Sequence, residues 1–68
     1  MKISARNVVP GTVKEVKKGA TTAHVLIDAK GAIITASITN ESVDELGLKP
    51  GVAVKAVIKS SDVLVAVD

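Results

Sequence analysis

The chain has no cysteine, phenylalanine, tyrosine or tryptophan, and only one histidine and one methionine among its 68 residues. Without cysteine there are no disulfides, no thiolate metal ligands and no thiol nucleophile. Without aromatic rings there are no platforms on which single-stranded nucleic acid could stack, and the core has to be built from Val, Ala, Ile and Leu. No apolar run approaches the ~20 residues that span a bilayer. The opening MKIS, followed soon by Arg6 and Asn7, lacks the apolar centre of a signal peptide. The expectation is a cytoplasmic protein with no membrane partner.

What is present is 47% apolar, with a formal net charge of +2. A chain this short makes one domain, residues 1–68, and buries only about 60% of the surface exposed when unfolded. Small scaffolds of this kind need a staple, and with disulfides excluded the favoured one is self-association. The cations are spread as Lys2, Arg6, Lys14, Lys17, Lys18, Lys30, Lys49, Lys55 and Lys59, with no dense basic block. Nucleic acid is therefore a disfavoured partner.

Pro10-Gly11, Lys18-Gly19 and Lys30-Gly31 punctuate the first half of the chain and predict strands near 3–9, 11–18, 21–28 and 32–38. In the second of these Val13 and Val16 bracket a charged pair; in the third Ala23, Val25 and Ile27 alternate with His24, Leu26 and Asp28; in the fourth Ile34, Ala36 and Ile38 alternate. TNESVDELGLKPG reads as one short helix, because Val43 and Leu46 recur at helical spacing. Thr39 or Asn40 is positioned to cap it, Ser42 and Glu45 fit a capping box, and Gly47 with Pro50-Gly51 stops it. Two more apolar runs, Val52 to Ile58 and Val63 to Val67, flank the polar turn KSSD. Five or six short strands with a single helix before the last pair predict an all-β fold: a small, closed or partly closed barrel of the OB type.

The polar residues argue against catalysis. Glu15, Asp28, Glu41, Asp44, Glu45, Asp62 and Asp68 show no spacing that would make a matched acid and base, and they read as solvated carboxylates. His24 lies on the polar side of a strand and has no neighbouring ligands for a metal. Three groups remain: Ser4 with Arg6, Thr39 with Ser42, and Lys59 with Ser60. Singly they read as a strand end, a helix cap and a turn. Together they make the donor set a tetrahedral dianion requires, with an Arg, a Lys, several hydroxyls and backbone N–H groups. Which oxyanion this would be, and whether the groups converge, composition leaves open.

ISARN at 3–7, GTVKEVKKGA at 11–20, SITNESVDELGLKPG at 37–51 and AVIKSSDV at 56–63 carry a resemblance along the whole chain. The sequence resembles the small molybdate-binding proteins called Mop or molbindins, whose module also occurs in molybdate-responsive regulators and transporter ATPases. The resemblance implies an OB-like five-stranded barrel, assembled as a hexamer (a trimer of dimers), that binds molybdate or tungstate between subunits with no organic cofactor. It implies ligands Ser4, Ala5 and Arg6 from one subunit, with Thr39, Ser42, Lys59 and Ser60 from another, and a supporting role for Asn7. It also implies a second class of site near a threefold axis, for which KKGATTAH, with Lys18, Gly19 and Thr22, is the candidate. The 28–34 turn is shorter and less glycine-rich than in the family. The chain has no G-x-x-x-x-G-K-[ST] motif and no DNA-binding helix pair, so the expected role is intracellular storage or homeostasis. An OB-type nucleic-acid-binding module is the alternative.

Overall fold

A computed structural model describes residues 1–68. The strands are β1 (Asn7–Lys18), β2 (Thr22–Ala29), β3 (Ala32–Thr39) and β4 (Ala53–Ile58), with one helix, α1 (Asn40–Leu46), between β3 and β4, and a single 3₁₀ turn at Ser60–Asp62. All neighbouring strands run antiparallel in one open sheet of order β3-β2-β1-β4.

The mostly β fold with one short helix agrees with the sequence reading, but three expectations need correction. Pro10-Gly11 does not break the first strand; residues 3–6 lie outside it and β1 runs unbroken through the dipeptide. The reason is register. β2 pairs with β1 only from Thr12 onward, so beside Pro10 the β2 side of β1 is free, and proline is tolerated at such an edge. Second, Ser42 and Glu45 form no capping box. Thr39 is the N-cap, its side chain accepting from the Ser42 N–H, so Ser42 already lies inside the helix. Third, Val63 to Val67 forms no strand, and the five-stranded closed barrel is, in this chain, a four-stranded sheet that stays open.

The sheet is held by its alternation. Val13, Ala23, Val25, Ile27, Val43 and Ala56 are the six buried residues, and Val16, Ile34, Ala36 and Ile38 pack against them. Val13 and Val16 stand three apart, a spacing that would put them on opposite faces of a regular strand. A β-bulge resolves this: Val13 pairs with Ile27 and Glu15 with Leu26, leaving Lys14 as the extra residue, after which Val16 pairs with Val25. Both valines then meet inward-facing residues of β2. The β2–β3 hairpin turns on Lys30 and Gly31, with φ of 55° and 94°, the positive pair that suits the twist of the flanking strands. The Asp28 carboxylate accepts the Gly31 N–H at 2.8 Å and fixes that turn. α1 is anchored by Val43, 3% exposed, and ends at Gly47 in the left-handed conformation, φ 64°.

The body is too open for its mass. A folded monomer of 6.9 kDa exposes about 4,000 Å², whereas this chain exposes 5302 Å². Its radius of gyration is 12.6 Å, against about 11 Å for a compact domain of this length. Much of the excess is apolar: Leu64, Val65 and Val67 are 93%, 90% and 92% exposed.

Gly11 is required by close approach rather than by φ. A Cβ there would stand 2.7 Å from Ile27 Cγ2 and 2.8 Å from the Asp28 carbonyl oxygen. Gly11→Ala should therefore force β1 and β2 apart and destabilise the fold by roughly 1–3 kcal/mol. Urea unfolding followed by circular dichroism measures this, and an unchanged midpoint would mean that the strands separate freely at Gly11.

Candidate functional site

The first end of β1 gathers two of the three polar groups. β4 runs back along β1 so that Ile58 pairs with Asn7, which brings the residues after β4 beside those before β1. Ile3, Ser4, Ala5, Val57, Lys59, Ser60 and Ser61 line one open hollow of about 600 Å³. The Asn7 side-chain amide donates to the Ile58 carbonyl at 3.2 Å and so ties SARN to the residue before Lys59, the local support expected of it. Lys59 is extended, and the 3₁₀ turn behind it closes with the Asp62 N–H on the Lys59 carbonyl at 2.9 Å.

The charge at this end is available. The chain's two ion pairs are Lys17 with Glu15 at 3.8 Å and Lys18 with Asp44 at 2.6 Å, so neither Arg6 nor Lys59 is engaged by a carboxylate. Both are exposed, and Arg6 stands outside the residues that line the hollow. Ser61, which does line it, was not singled out in the sequence; the doubled serine of KSSD was the signal. Ile3 and Val57 give the hollow apolar wall, and nothing polar in their residue types could have announced it.

Thr39 and Ser42 lie elsewhere. Thr39 pairs with Thr22 at the end of β2, and Ala23 pairs with Lys18, the last residue of β1. The helix start therefore sits at the opposite end of β1 from Asn7. Twelve strand residues span on the order of 35 Å when straight, and a bend at the bulge does not reduce that to the width of one small ion. The resemblance groups Lys59 and Ser60 with Thr39 and Ser42; on one copy the fold groups them with Ser4 and Ala5.

At that far end the hydroxyls are arranged for one free donor. Thr39 Oγ1 accepts from the Ser42 N–H at 3.1 Å and donates to Ser42 Oγ at 2.9 Å. The Thr39 proton is thereby used, and the Ser42 proton points to whatever acceptor approaches. Asn40, the other cap candidate, links the helix to the β1–β2 turn instead. Its Nδ2 donates to the Gly19 carbonyl at 3.0 Å and its backbone N–H to the Thr21 carbonyl at 2.9 Å, while its Oδ1 is buried without a donor.

In the second candidate region much is already engaged. The Lys18 ammonium is held by Asp44, the Gly19 N–H donates to the Thr22 carbonyl at 2.8 Å, and the Thr21 and Thr22 hydroxyls stand 3.5 Å apart. His24 is exposed between Lys17 and Ser37 on the outer face, and no three of the His, Asp and Glu side chains cluster.

Comparison with known proteins identifies the family of the chain and the likeness of its fold. The TOBE domain model covers residues 3–65. Molybdenum-pterin-binding protein 1 of Clostridium pasteurianum is 50% identical over 66 residues, 96% of this chain and 97% of its own. A molybdate-binding protein from Sporomusa ovata superposes with a TM-score of 0.93 at 44% identity, over 97% of this chain and 98% of that one. The cytoplasmic molybdate-binding protein ModG, in a form with molybdate bound, superposes with a TM-score of 0.89 at 48% identity, over 94% of this chain and 46% of that one. The chain belongs to the TOBE-domain family and, within it, to the small Mop proteins, as the sequence resemblance implied.

Thr39→Ala removes the cap acceptor and should cost about 1 kcal/mol of stability. Ser42→Ala, which keeps the N–H that Thr39 accepts from, should cost less. Thermal unfolding of the two variants checks the order, and a reversal would assign the cap to another group.

Proposed function

We propose that this protein binds molybdate, and tungstate as its close analogue, without catalysis, and serves the intracellular storage or homeostasis of the oxyanion. The observation that carries this reading is the pair of unengaged cations, Arg6 and Lys59, at the end of β1 where Ser4, Ala5 and Ser60 are gathered. A tetrahedral dianion needs compensating charge and several directed donors. Arg6 and Lys59 supply the charge, and Ser4, Ser60 and the nearby N–H groups of Ala5 and Ser60 supply donors. Asp62, in the same turn, opposes an anion, so both cations are needed. The names of the relatives support the choice of oxyanion, and the description of ModG as cytoplasmic supports the compartment. No helix is long and apolar enough to cross a membrane.

The site is completed by association. Because Thr39 and Ser42 stand at the far end of β1, an ion that uses them together with Arg6 and Lys59 lies between copies. Ser42 then offers its free hydroxyl from one copy to an ion held at the cationic end of others. The exposed excess of roughly 1,300 Å² is the surface such assembly would cover. A hexamer built as a trimer of dimers is the assembly proposed. A second oxyanion at Lys18, Gly19 and Thr22 requires Lys18 to leave Asp44.

The Clostridium pasteurianum relatives are named for a pterin as well as for molybdenum. This chain has no aromatic residue on which such a ring could stack, and the donor set described here suits the bare oxyanion. The nucleic-acid alternative gains no observation: the cations stay dispersed and aromatics are absent.

Isothermal titration with molybdate, tungstate, sulfate, phosphate and a free pterin tests the reading. Heat is expected with the first two, and no heat with molybdate would end it. Arg6→Ala and Lys59→Ala should each weaken binding at least ~10-fold, and Asn7→Ala less. Sharing is tested by refolding Arg6→Ala and Ser42→Ala chains together. Mixed assemblies should recover binding that neither variant shows alone, whereas no recovery would place these groups in one copy.

A further inference from the structure

The pairing of β1 with β4 stops at Asn7 and Ile58, the first residue of one strand and the last of the other. Residues 1–6 take part in none of the chain's hydrogen bonds, backbone or side-chain, and all of them but Ala5 are exposed. Across the gap the backbone is set: Lys59 is extended, with φ −63° and ψ 132°, and its carbonyl accepts the Asp62 N–H. One side of the site is therefore built into the fold, while the other, Ser4 to Arg6, is a free strap pinned at Asn7.

Val8 lies opposite Val57 and Asn7 opposite Ile58, so one more antiparallel step would set Arg6 opposite Lys59, and two beyond that Ser4 opposite Ser61. Opposed residues share a face and every second residue returns to it, which would put Ser4, Arg6, Val57, Lys59 and Ser61 on one side. Of these, all but Arg6 already line the hollow. Two cations directly opposed across antiparallel strands repel. No carboxylate offsets them, because the chain's two ion pairs are Lys17 with Glu15 and Lys18 with Asp44. Lys55, opposite Pro10, stands on the same face of β4 and adds to the positive field.

We propose that this cation pair is a latch: repulsion between Arg6 and Lys59 keeps the strap open, and a tetrahedral dianion between them lets the β1–β4 ladder advance over Ser4 to Arg6 and close. The inference rests on oxyanion binding at this end of β1 and adds how the bound chain differs from the free one. A doubly charged ion seated between two single charges replaces one repulsion by two attractions. Ser4 and Arg6 share a face in the advanced ladder, so one movement delivers both a hydroxyl and a guanidinium to the ion. Closure then discriminates by charge as well as by shape. A tetrahedral monoanion such as perrhenate leaves the two cations only half offset, and it should close the strap less completely than molybdate.

The test is hydrogen exchange of the full chain, followed amide by amide by ¹⁵N NMR, with molybdate, with perrhenate and with neither. Without an oxyanion the amides of Ser4, Ala5 and Arg6 should exchange freely. With molybdate the alternate ones that enter the ladder should slow at least ~10-fold, and with perrhenate less, while those of Val13 and Val25 hold steady. Strap amides already protected without an anion, or equally fast in the molybdate-saturated protein, would overturn the proposal. Lys59→Gln removes one of the two opposed charges and should slow the same amides with no oxyanion present. Unchanged exchange in that variant would show that something other than the cation pair holds the ladder open. Titration heat separates the two readings: no heat with molybdate ends the functional reading and closure with it, whereas heat with the strap amides unmoved ends closure alone.

Discussion

The seam between β1 and β2 is the constraint on which the other elements depend. Val13 and Val16 meet Ile27 and Val25 across it, and the bulge at Lys14 is what lets a three-residue spacing serve one face. β3 is hung on the outer side of β2 and β4 on the outer side of β1. α1 presses a single valine, Val43, into the layer they make. A one-residue change of register here would turn the apolar faces of β1 outward and leave both flanking strands and the helix without a floor. Gly11 belongs to the same constraint, since it permits the close approach at the point where β2 begins to accompany β1.

The fold was legible where alternation was clean. Ala23, Val25 and Ile27 are buried as their spacing required, and the hairpin at Lys30-Gly31 stands where its turn residues put it. Two of the three misreadings have a common cause: residues in a line do not report which side of a strand lacks a neighbour. Pro10 looked like a stop because a central strand would not tolerate it, yet β1 is an edge at that point. Val63 to Val67 looked like a fifth strand because its pattern is that of one, yet it pairs with no strand of its own chain.

The candidate site was legible as a list of groups and not as a layout. Arg6, Lys59, Ser4, Thr39 and Ser42 stood out as a donor set only in combination, since singly they read as a strand end, a turn and a helix cap. What the sequence could not convey is that antiparallel pairing of β4 with β1 brings Lys59 beside Ser4, while the pairing of β3 with β2 carries Thr39 to the other end. The engaged groups were equally hidden: Lys18 is spent on Asp44 and the Gly19 N–H on Thr22, contacts between residues whose nearness arises only from the fold.

The placement of cations at one pole of β1 and a free hydroxyl at the other gives each copy a head and a tail. Contacts of that kind join unlike surfaces, and they end either in a closed ring or in an unlimited fibre. In the proposed trimer of dimers such contacts close into a ring, and the body is finite. An ion seated at the head-to-tail contact would then be cement as well as cargo. Its apparent affinity would fall on dilution of the protein, because releasing the ion and parting the copies draw on the same free energy.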